Sequence, residues 1–208
     1  GRDACSPRLA APHRDAGWTA HRQVRAAHGQ AAPVSEADPL ERVLGLVRAV
    51  PDFPSPGVLF RDITPVLADA EALATVATEL AALVGDADLV AGIEARGFLL
   101  GTAAALVGGT GVVPVRKAGK LPRVAASRSY ALEYGTATLE LPEGVVEPGA
   151  RVLVVDDVLA TGGTGAATVD LLGAAGAEVV GFAVLAELTG FGGRGRLAPL
   201  PVHALLAF

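Results

Sequence analysis

From Asp38 onward the chain alternates between two kinds of hydrophobic spacing. Leu40, Val43, Leu44 and Val47 recur at the interval of a helix with one apolar face, with Asp38 placed to cap it and Pro39 in its first turn. Leu73, Val76, Ala77, Leu80 and Leu83 or Val84 repeat that spacing behind a second capping candidate, Asp69. Short apolar runs mark strands instead, at Leu89–Ile93, Gly111–Arg116, Val152–Val155, Val179–Leu185 and near Val202–Leu206. Pro114 hints that its strand lies at an edge or is irregular. Further helical patterns span about Phe98–Val107 and Gly163–Ala175. Strands alternating with helices predict an α/β domain whose parallel-rich sheet is covered on both faces.

Three stretches depart from this rhythm. Pro51–Leu67 (PDFPSPGVLFRDITPVL) holds four prolines and no helical period, so it reads as an irregular surface loop or a shaped binding element. Lys117–Leu141 opens basic, alternates around Tyr130, Leu132 and Tyr134, and alternates again over Thr136–Leu141. That predicts a flexible loop running into a β-hairpin, and so long an insert in a compact α/β domain is usually a lid or a binding loop. Thr189–Gly195 is a glycine-rich loop before the last strand.

Composition sharpens the picture at the N-terminus and by what is missing. Residues 1–37 have several Pro and Gly and no sustained period, so they are expected to be a disordered or poorly ordered extension ahead of one domain over residues 38–208. No apolar segment follows their arginines, so a secretory signal is not expected; an arginine-rich transit peptide and a gene-start extension both fit. No Met occurs anywhere, so Gly1 is expected not to be the translated start. Of the net charge of −5, residues 1–30 carry +3 and the remainder −8, which argues against a nucleic-acid-binding surface. No apolar stretch has the ~20 residues of a membrane span.

Cys5 is the only cysteine, and His203 is the only histidine outside the N-terminal segment. That excludes a Cys/His metal cluster and a disulfide framework, and makes Cys–His or Ser–His–Asp chemistry a poor fit. A cytoplasmic location is expected. Any reaction must then run on carboxylates, cations, backbone dipoles and an oxygen-ligated ion.

The stretch with the most chemistry is Arg151–Gly165, RVLVVDDVLATGGTG. A buried strand is followed at its C-terminal end by Asp156 and Asp157, then by Ala160-Thr161-Gly162-Gly163-Thr164 opening a helix. Ligands of open α/β sheets sit beyond the strands' C-terminal ends. A Gly/Thr loop there offers backbone N–H groups and a positive dipole end to an anion, while two carboxylates suit hydroxyls. A ribose 5-phosphate fits both halves. Alone, an Asp pair is more readily a helix cap after a buried strand.

VLVVDDVLATGGT resembles the phosphoribosyl pyrophosphate (PRPP) motif of type I phosphoribosyltransferases. With PDFPSPGVLFRDITPVL, AGIEARGF, RKAGKLP and SYALEYGTATLEL, in that order over about Asp38 to Phe208, the resemblance narrows to the adenine-using members of that family. It implies the type I fold, with a parallel-rich central sheet flanked by helices, a flexible β-hairpin lid and a small N-terminal hood. It also implies a purine-salvage reaction, adenine plus PRPP giving AMP plus pyrophosphate, with Mg²⁺ carried by PRPP and no direct protein ligand to the metal. A homodimer is the expected assembly, with no nucleic-acid or membrane partner.

Carried over by motif, Asp156 and Asp157 would hold the ribose, and Ala160, Thr161, Gly162, Gly163 and Thr164 the 5′-phosphate. Glu94, Ala95 and Arg96 resemble the pyrophosphate loop, with Arg116, Lys117 and Lys120 as further pyrophosphate contacts; exposed surface cations are the alternative for each base. Glu133 would accept or orient the N9 proton of adenine, although outside this context it is an exposed charge on a hairpin. Tyr130 and Tyr134 would close the lid. Leu59, Phe60 and Arg61 would bind adenine, with Phe60 stacking and backbone groups reading the Watson–Crick edge; by itself Phe60 reads as a core residue before a ligand contact. A phosphoribosyltransferase acting on hypoxanthine, guanine or xanthine is the nearest alternative. A non-catalytic PRPP-binding regulator is another, which an acidic body without a helix-turn-helix pattern disfavours.

Overall fold

The computed structural model describes residues 38–131 and 135–208. The first helix, α1 (Pro39–Leu46), begins where Asp38 Oδ1 accepts the Leu40 N–H at 2.9 Å, with Pro39 in its first turn. Such a cap stabilises a helix by about 0.5–2 kcal/mol. Only Val43 of the expected apolar face is fully buried, and Leu44 stays largely exposed. The predicted loop at Pro51–Leu67 is more regular than its prolines suggest. β1 (Arg48–Pro51) and β2 (Leu59–Asp62) form a separate antiparallel pair, and α2 (Thr64–Ala68) follows. Strands of four residues carry too little alternation to stand out in a proline-rich stretch.

Asp69 caps α3 (Ala70–Ala82) by accepting the Ala72 N–H at 2.9 Å, and Val76, Ala77 and Leu80 face inward as the spacing predicts. Next come β3 (Leu89–Ile93), α4 (Arg96–Gly108), β4 (Gly111–Lys117), and a hairpin of β5 (Val124–Ala131) and β6 (Thr136–Pro142). The chain closes with β7 (Arg151–Leu159), α5 (Gly163–Ala174), β8 (Glu178–Glu187), the short α6 (Gly193–Leu197) and β9 (Val202–Ala207).

The main sheet has seven strands in the order β5-β6-β4-β3-β7-β8-β9, and the run from β4 to β9 is parallel throughout. The proline in β4 has an understandable place. β6 joins β4 only at Arg116 and Lys117, so Pro114 lies on a stretch without a partner on that side. Alternation along β7 builds both layers of the core. Leu153 and Val155 pack with Val43, Val76, Leu80 and Leu100 of α1, α3 and α4. Val152 and Val154 pack on the other face with Leu171 and Leu172 of α5, Phe182 and Leu197.

The strand order reverses between β3 and β7: α4 carries the chain outward to β4, and α5 carries it the other way to β8. A crevice at such a switch point is where open α/β sheets bind ligands. β3 pairs with β7 only as far as Gly92 opposite Val155, whereas β8 goes on pairing with β7 up to Leu159. Asp156 and Asp157 therefore lie inside the strand, not beyond it as the apolar run suggested. β8 supplies the extra ladder partners, which no local pattern reports.

Candidate active site

The acid pair sits on the part of β7 that has lost its β3 neighbour. Asp157 is only 7% exposed, and its N–H donates to Asp156 Oδ1 at 2.9 Å. Asp156 keeps some surface open to the crevice. α4 starts directly against it: a Cβ on Gly97 would lie 2.8 Å from the Val155 carbonyl oxygen and 2.9 Å from Asp156 Oδ1. Gly92 and Gly101 are similarly tight where α4 crosses β3, a Cβ on Gly92 falling 2.8 Å from the Gly97 carbonyl oxygen. Small residues on both elements let the N-terminus of α4 come down onto the Asp pair.

Burial pushes the Asp156 carboxyl well above its ordinary range, and the Asp157 charge pushes it further; the Asp157 N–H and Arg96 act in the opposite direction. A raised carboxyl pKa means that the folded chain holds a proton that the unfolded chain has already lost. Stability attributable to Asp156 is therefore greatest at acid pH and declines as pH rises above the unfolded value of ~4. Asp156→Asn is accordingly expected to raise the melting temperature of the ligand-free protein at pH 7–8. A gain of roughly 3 °C corresponds to about 1 kcal/mol in a domain of this size. The gain should vanish near pH 4, and calorimetric melts across pH measure it; a variant that melts lower at pH 8 than at pH 4, relative to wild type, contradicts this account.

The loop after β7 turns at Gly162, whose φ is 75°. That conformation suits glycine, and a Cβ there would also lie 2.8 Å from the Gly193 carbonyl oxygen. Thr164 is fixed from two sides: its carbonyl accepts Thr168 Oγ1 at 2.9 Å, and its hydroxyl lies 3.1 Å from Tyr130 Oη. The segment Ala160–Thr164, with Asp156 and Phe182, lines a small pocket of about 110 Å³ at the positive end of α5. Of the two tyrosines expected in a lid, Tyr130 thus reaches the Ala160–Thr164 loop from β5. Arg128 ties the same hairpin to α5 through Asp170 at 2.7 Å.

The loop between β3 and α4 forms the opposite wall, and its Glu94–Ala95 peptide bond is cis. Glu94 Oε2 accepts the Lys117 N–H at 2.8 Å and Arg116 Nε at 3.1 Å. Partial burial pushes its carboxyl up, but the Lys117 N–H and Arg116 outweigh that and hold it below its ordinary value. Glu94 is thus an anion already engaged by the end of β4. Arg116, over the Phe98 ring at 5.6 Å, is anchored by it, while Lys117 and Lys120 are exposed.

Arg96 joins the two halves of the site. Its Nη2 lies 2.8 Å from Asp157 Oδ2, and its guanidinium stands 5.2 Å from the centre of the Phe60 ring. The approach to Asp157 is ionic and not a directed hydrogen bond, because Oδ2 is buried without a hydrogen-bond partner among the described residues. Phe60 meets Phe53 edge-on at 5.1 Å, and Leu59 is half exposed. Arg61 turns away from this group, its guanidinium stacking 4.1 Å from the Phe208 ring centre. Glu133 and Tyr134 lie outside the described residues. One cation went unnoticed in the sequence: Arg196 of α6 packs its side chain against Gly162 and Gly163. It lies just past the glycine-rich stretch Thr189–Gly195, some thirty residues downstream, where only the three-dimensional contact identifies it.

The site therefore offers an anion cradle, two carboxylates, a bridging cation and an aromatic ring around one crevice. Known proteins resemble this chain in sequence and in fold. A family model described as "Phosphoribosyl transferase domain" matches residues 66–198. The adenine phosphoribosyltransferase of Saccharopolyspora erythraea is 57% identical over 179 residues, which covers 84% of this chain and 98% of that protein. Among solved structures, the adenine phosphoribosyltransferase of Rhodothermus marinus is 50% identical with a TM-score of 0.77, over 82% of this chain and 98% of that one. The Saccharomyces cerevisiae enzyme, solved with adenine and an imino-altritol bisphosphate, is 34% identical with a TM-score of 0.75, over 80% and 98% of the two chains. By its fold, the order of its motifs and these relationships, the chain belongs to the phosphoribosyl transferase family, among the adenine phosphoribosyltransferases.

Proposed function

We propose that the protein transfers the phosphoribosyl group of PRPP to N9 of adenine, releasing pyrophosphate and forming AMP. The observation that carries this reading is the continuity of β7, the Ala160–Thr164 loop and α5, with Arg96 beside Asp157. It sets a phosphate cradle, acceptors for hydroxyls and a cation for the leaving group along one crevice. Displacing pyrophosphate builds positive charge on the ribose ring and negative charge on the leaving group, so a site with both signs of fixed charge lowers the barrier.

In this reading Asp156 and Asp157 hold the ribose hydroxyls, and Asp157 adds negative charge next to the cationic ring. The N–H groups and hydroxyls of residues 160–164 take the 5′-phosphate. Arg96, Lys117 and Lys120 meet the pyrophosphate, along with Arg116, which Glu94 orients; Ala95 contributes backbone. Phe60 stacks on adenine beside Leu59 and Arg61, Glu133 receives the N9 proton, and Tyr130 and Tyr134 cover PRPP. The Saccharomyces cerevisiae structure holds adenine together with a bisphosphate, which supports a base and a sugar phosphate sharing one site.

Mg²⁺ enters as a companion of PRPP, whose diphosphate supplies the oxygen ligands this ion prefers. Among the described residues, no group of three or more His, Cys, Asp or Glu is placed to hold a metal. The direct test is pyrophosphate release with Mg²⁺ and PRPP, offering adenine, hypoxanthine and guanine in turn. Turnover with adenine alone is expected, and turnover of hypoxanthine without adenine overturns the reading.

A homodimer is the proposed assembly, and the outer face of α4 is its proposed contact. Leu99, Thr102, Ala103 and Leu106 fall on one helical stripe, and Leu106 is 75% exposed. An apolar stripe of this kind on a charged body suits a second copy of itself. Leu106→Asp is expected to shift the protein toward the monomer in light scattering. An unchanged dimer mass would remove α4 from the interface. No helix among the described residues is long and apolar enough to cross a membrane, and the proposed location is the cytoplasm.

A further inference from the structure

We propose that Arg196 is a phosphate-binding residue of the same site, placing its guanidinium on the 5′-phosphate held by residues 160–164. The inference rests on the reading of that loop as a ribose-phosphate cradle.

Three observations converge on it. First, the side chain runs across the two glycines that open α5. Arg196 Cβ lies 3.3 Å from the point a Gly162 Cβ would occupy, and its Nη1 lies 3.6 Å from the corresponding point at Gly163. The guanidinium is brought there because neither residue has a side chain. Second, the same point at Gly163 is 3.8 Å from both Thr161 Oγ1 and Tyr130 Cδ2, and Tyr130 Oη in turn meets the Thr164 hydroxyl. A loop, a hairpin strand and α6 thus deliver hydrogen-bonding groups to one spot at the start of α5.

Third, the charge there is unanswered by any carboxylate of the described residues. The neighbouring Arg194 is engaged with Glu187 at 2.5 Å and with the Val202 carbonyl oxygen, holding α6 onto β8 and β9. Asp170, which lines an outer pocket with Arg196, is bonded to Arg128. No carboxylate of the described residues comes within 4.0 Å of Arg196. A guanidinium beside the positive end of a helix is repelled unless an anion stands between them. A phosphate cradled by the α5 N-terminus is that anion, and a short turn of the outer side-chain torsions brings the planar fork onto its oxygens.

The test separates the two ends of PRPP. Ribose 5-phosphate and pyrophosphate are titrated separately by calorimetry into the wild type, Arg196→Ala, Arg196→Lys and Arg123→Ala. Arg123 is exposed on the basal loop of the hairpin and serves as the control for net charge. Arg196→Ala is expected to weaken ribose 5-phosphate about tenfold, the loss typical of one charge-assisted contact, with pyrophosphate affinity within about twofold of wild type. KM for PRPP should rise by a similar factor with kcat nearly unchanged, and lysine should restore part of the loss. Unchanged ribose 5-phosphate affinity overturns the proposal, as does an equal loss at both ends or a fall in kcat with KM untouched. If the alanine variant melts early, the lysine variant carries the same comparison. Binding of ribose 5-phosphate needs no base, so absent adenine turnover in the wild type refutes the enzymatic reading without touching this one.

Discussion

Asp157→Asn is expected to lower kcat for AMP formation by about two to three orders of magnitude. The substitution keeps shape and one acceptor but removes the negative charge facing both Arg96 and the ribose site. Losing a preorganised charge or donor aimed at transition-state charge typically costs 10²–10³-fold in rate. Ribose 5-phosphate should still bind, because hydroxyl contacts survive in the amide. The effect must appear equally in the reverse reaction, from AMP and pyrophosphate, since both directions pass through the same cationic ribose. Fold stability should change little, as Arg96 remains about one-third exposed and can turn to water. A variant with wild-type kcat in either direction would falsify the role assigned to this carboxylate.

Gly97→Ala is expected to do comparable damage without removing any functional group. The new methyl would lie 2.8 Å from the Val155 carbonyl oxygen and 3.1 Å from Asp156 Cα, both backbone atoms of a central strand. Neither can give way cheaply, so the start of α4 must move. Overpacking of this sort costs about 1–3 kcal/mol, or a fall of roughly 2–12 °C in melting temperature. Arg96 is carried on that first turn, and a displacement of about 1 Å at a reacting centre can cost 10²-fold in rate. Melting temperature and kcat should therefore fall together. A Gly97→Ala enzyme that keeps activity within about threefold of wild type would show that α4 has slack against β7.

Much of this architecture could be read from the chain because it is written locally. Asp38 and Asp69 cap the helices they precede, and apolar runs end within one or two residues of the observed β3, β4 and β9. The Ala160–Thr164 loop, the acid pair and the Arg96 loop stand in the sequence as recognisable strings. What depended on distant partners was not. β7 extends through the Asp pair because β8 continues alongside it, and β1 and β2 exist because they pair with each other. Arg61 is next to Phe60 in sequence, yet its guanidinium stacks on Phe208, at the far end of the chain. Arg196 and the close approach at Gly97 are likewise facts of packing between segments far apart in sequence.

The two-stranded β1–β2 unit shares no ladder with the seven-stranded sheet. Phe60, which is proposed to face the base, belongs to the small unit, while the Asp pair and the Ala160–Thr164 loop, proposed to hold the ribose phosphate, belong to the large one. On the proposed roles, base recognition and bond breaking fall in separate hydrogen-bonded frameworks, with the Arg96 guanidinium reaching Phe60 of one and Asp157 of the other. Mutations in the small framework can explore new bases while the machinery that breaks the bond to pyrophosphate is inherited intact. For a protein engineer, residues 48–62 are the cassette to exchange when a different nucleobase is wanted.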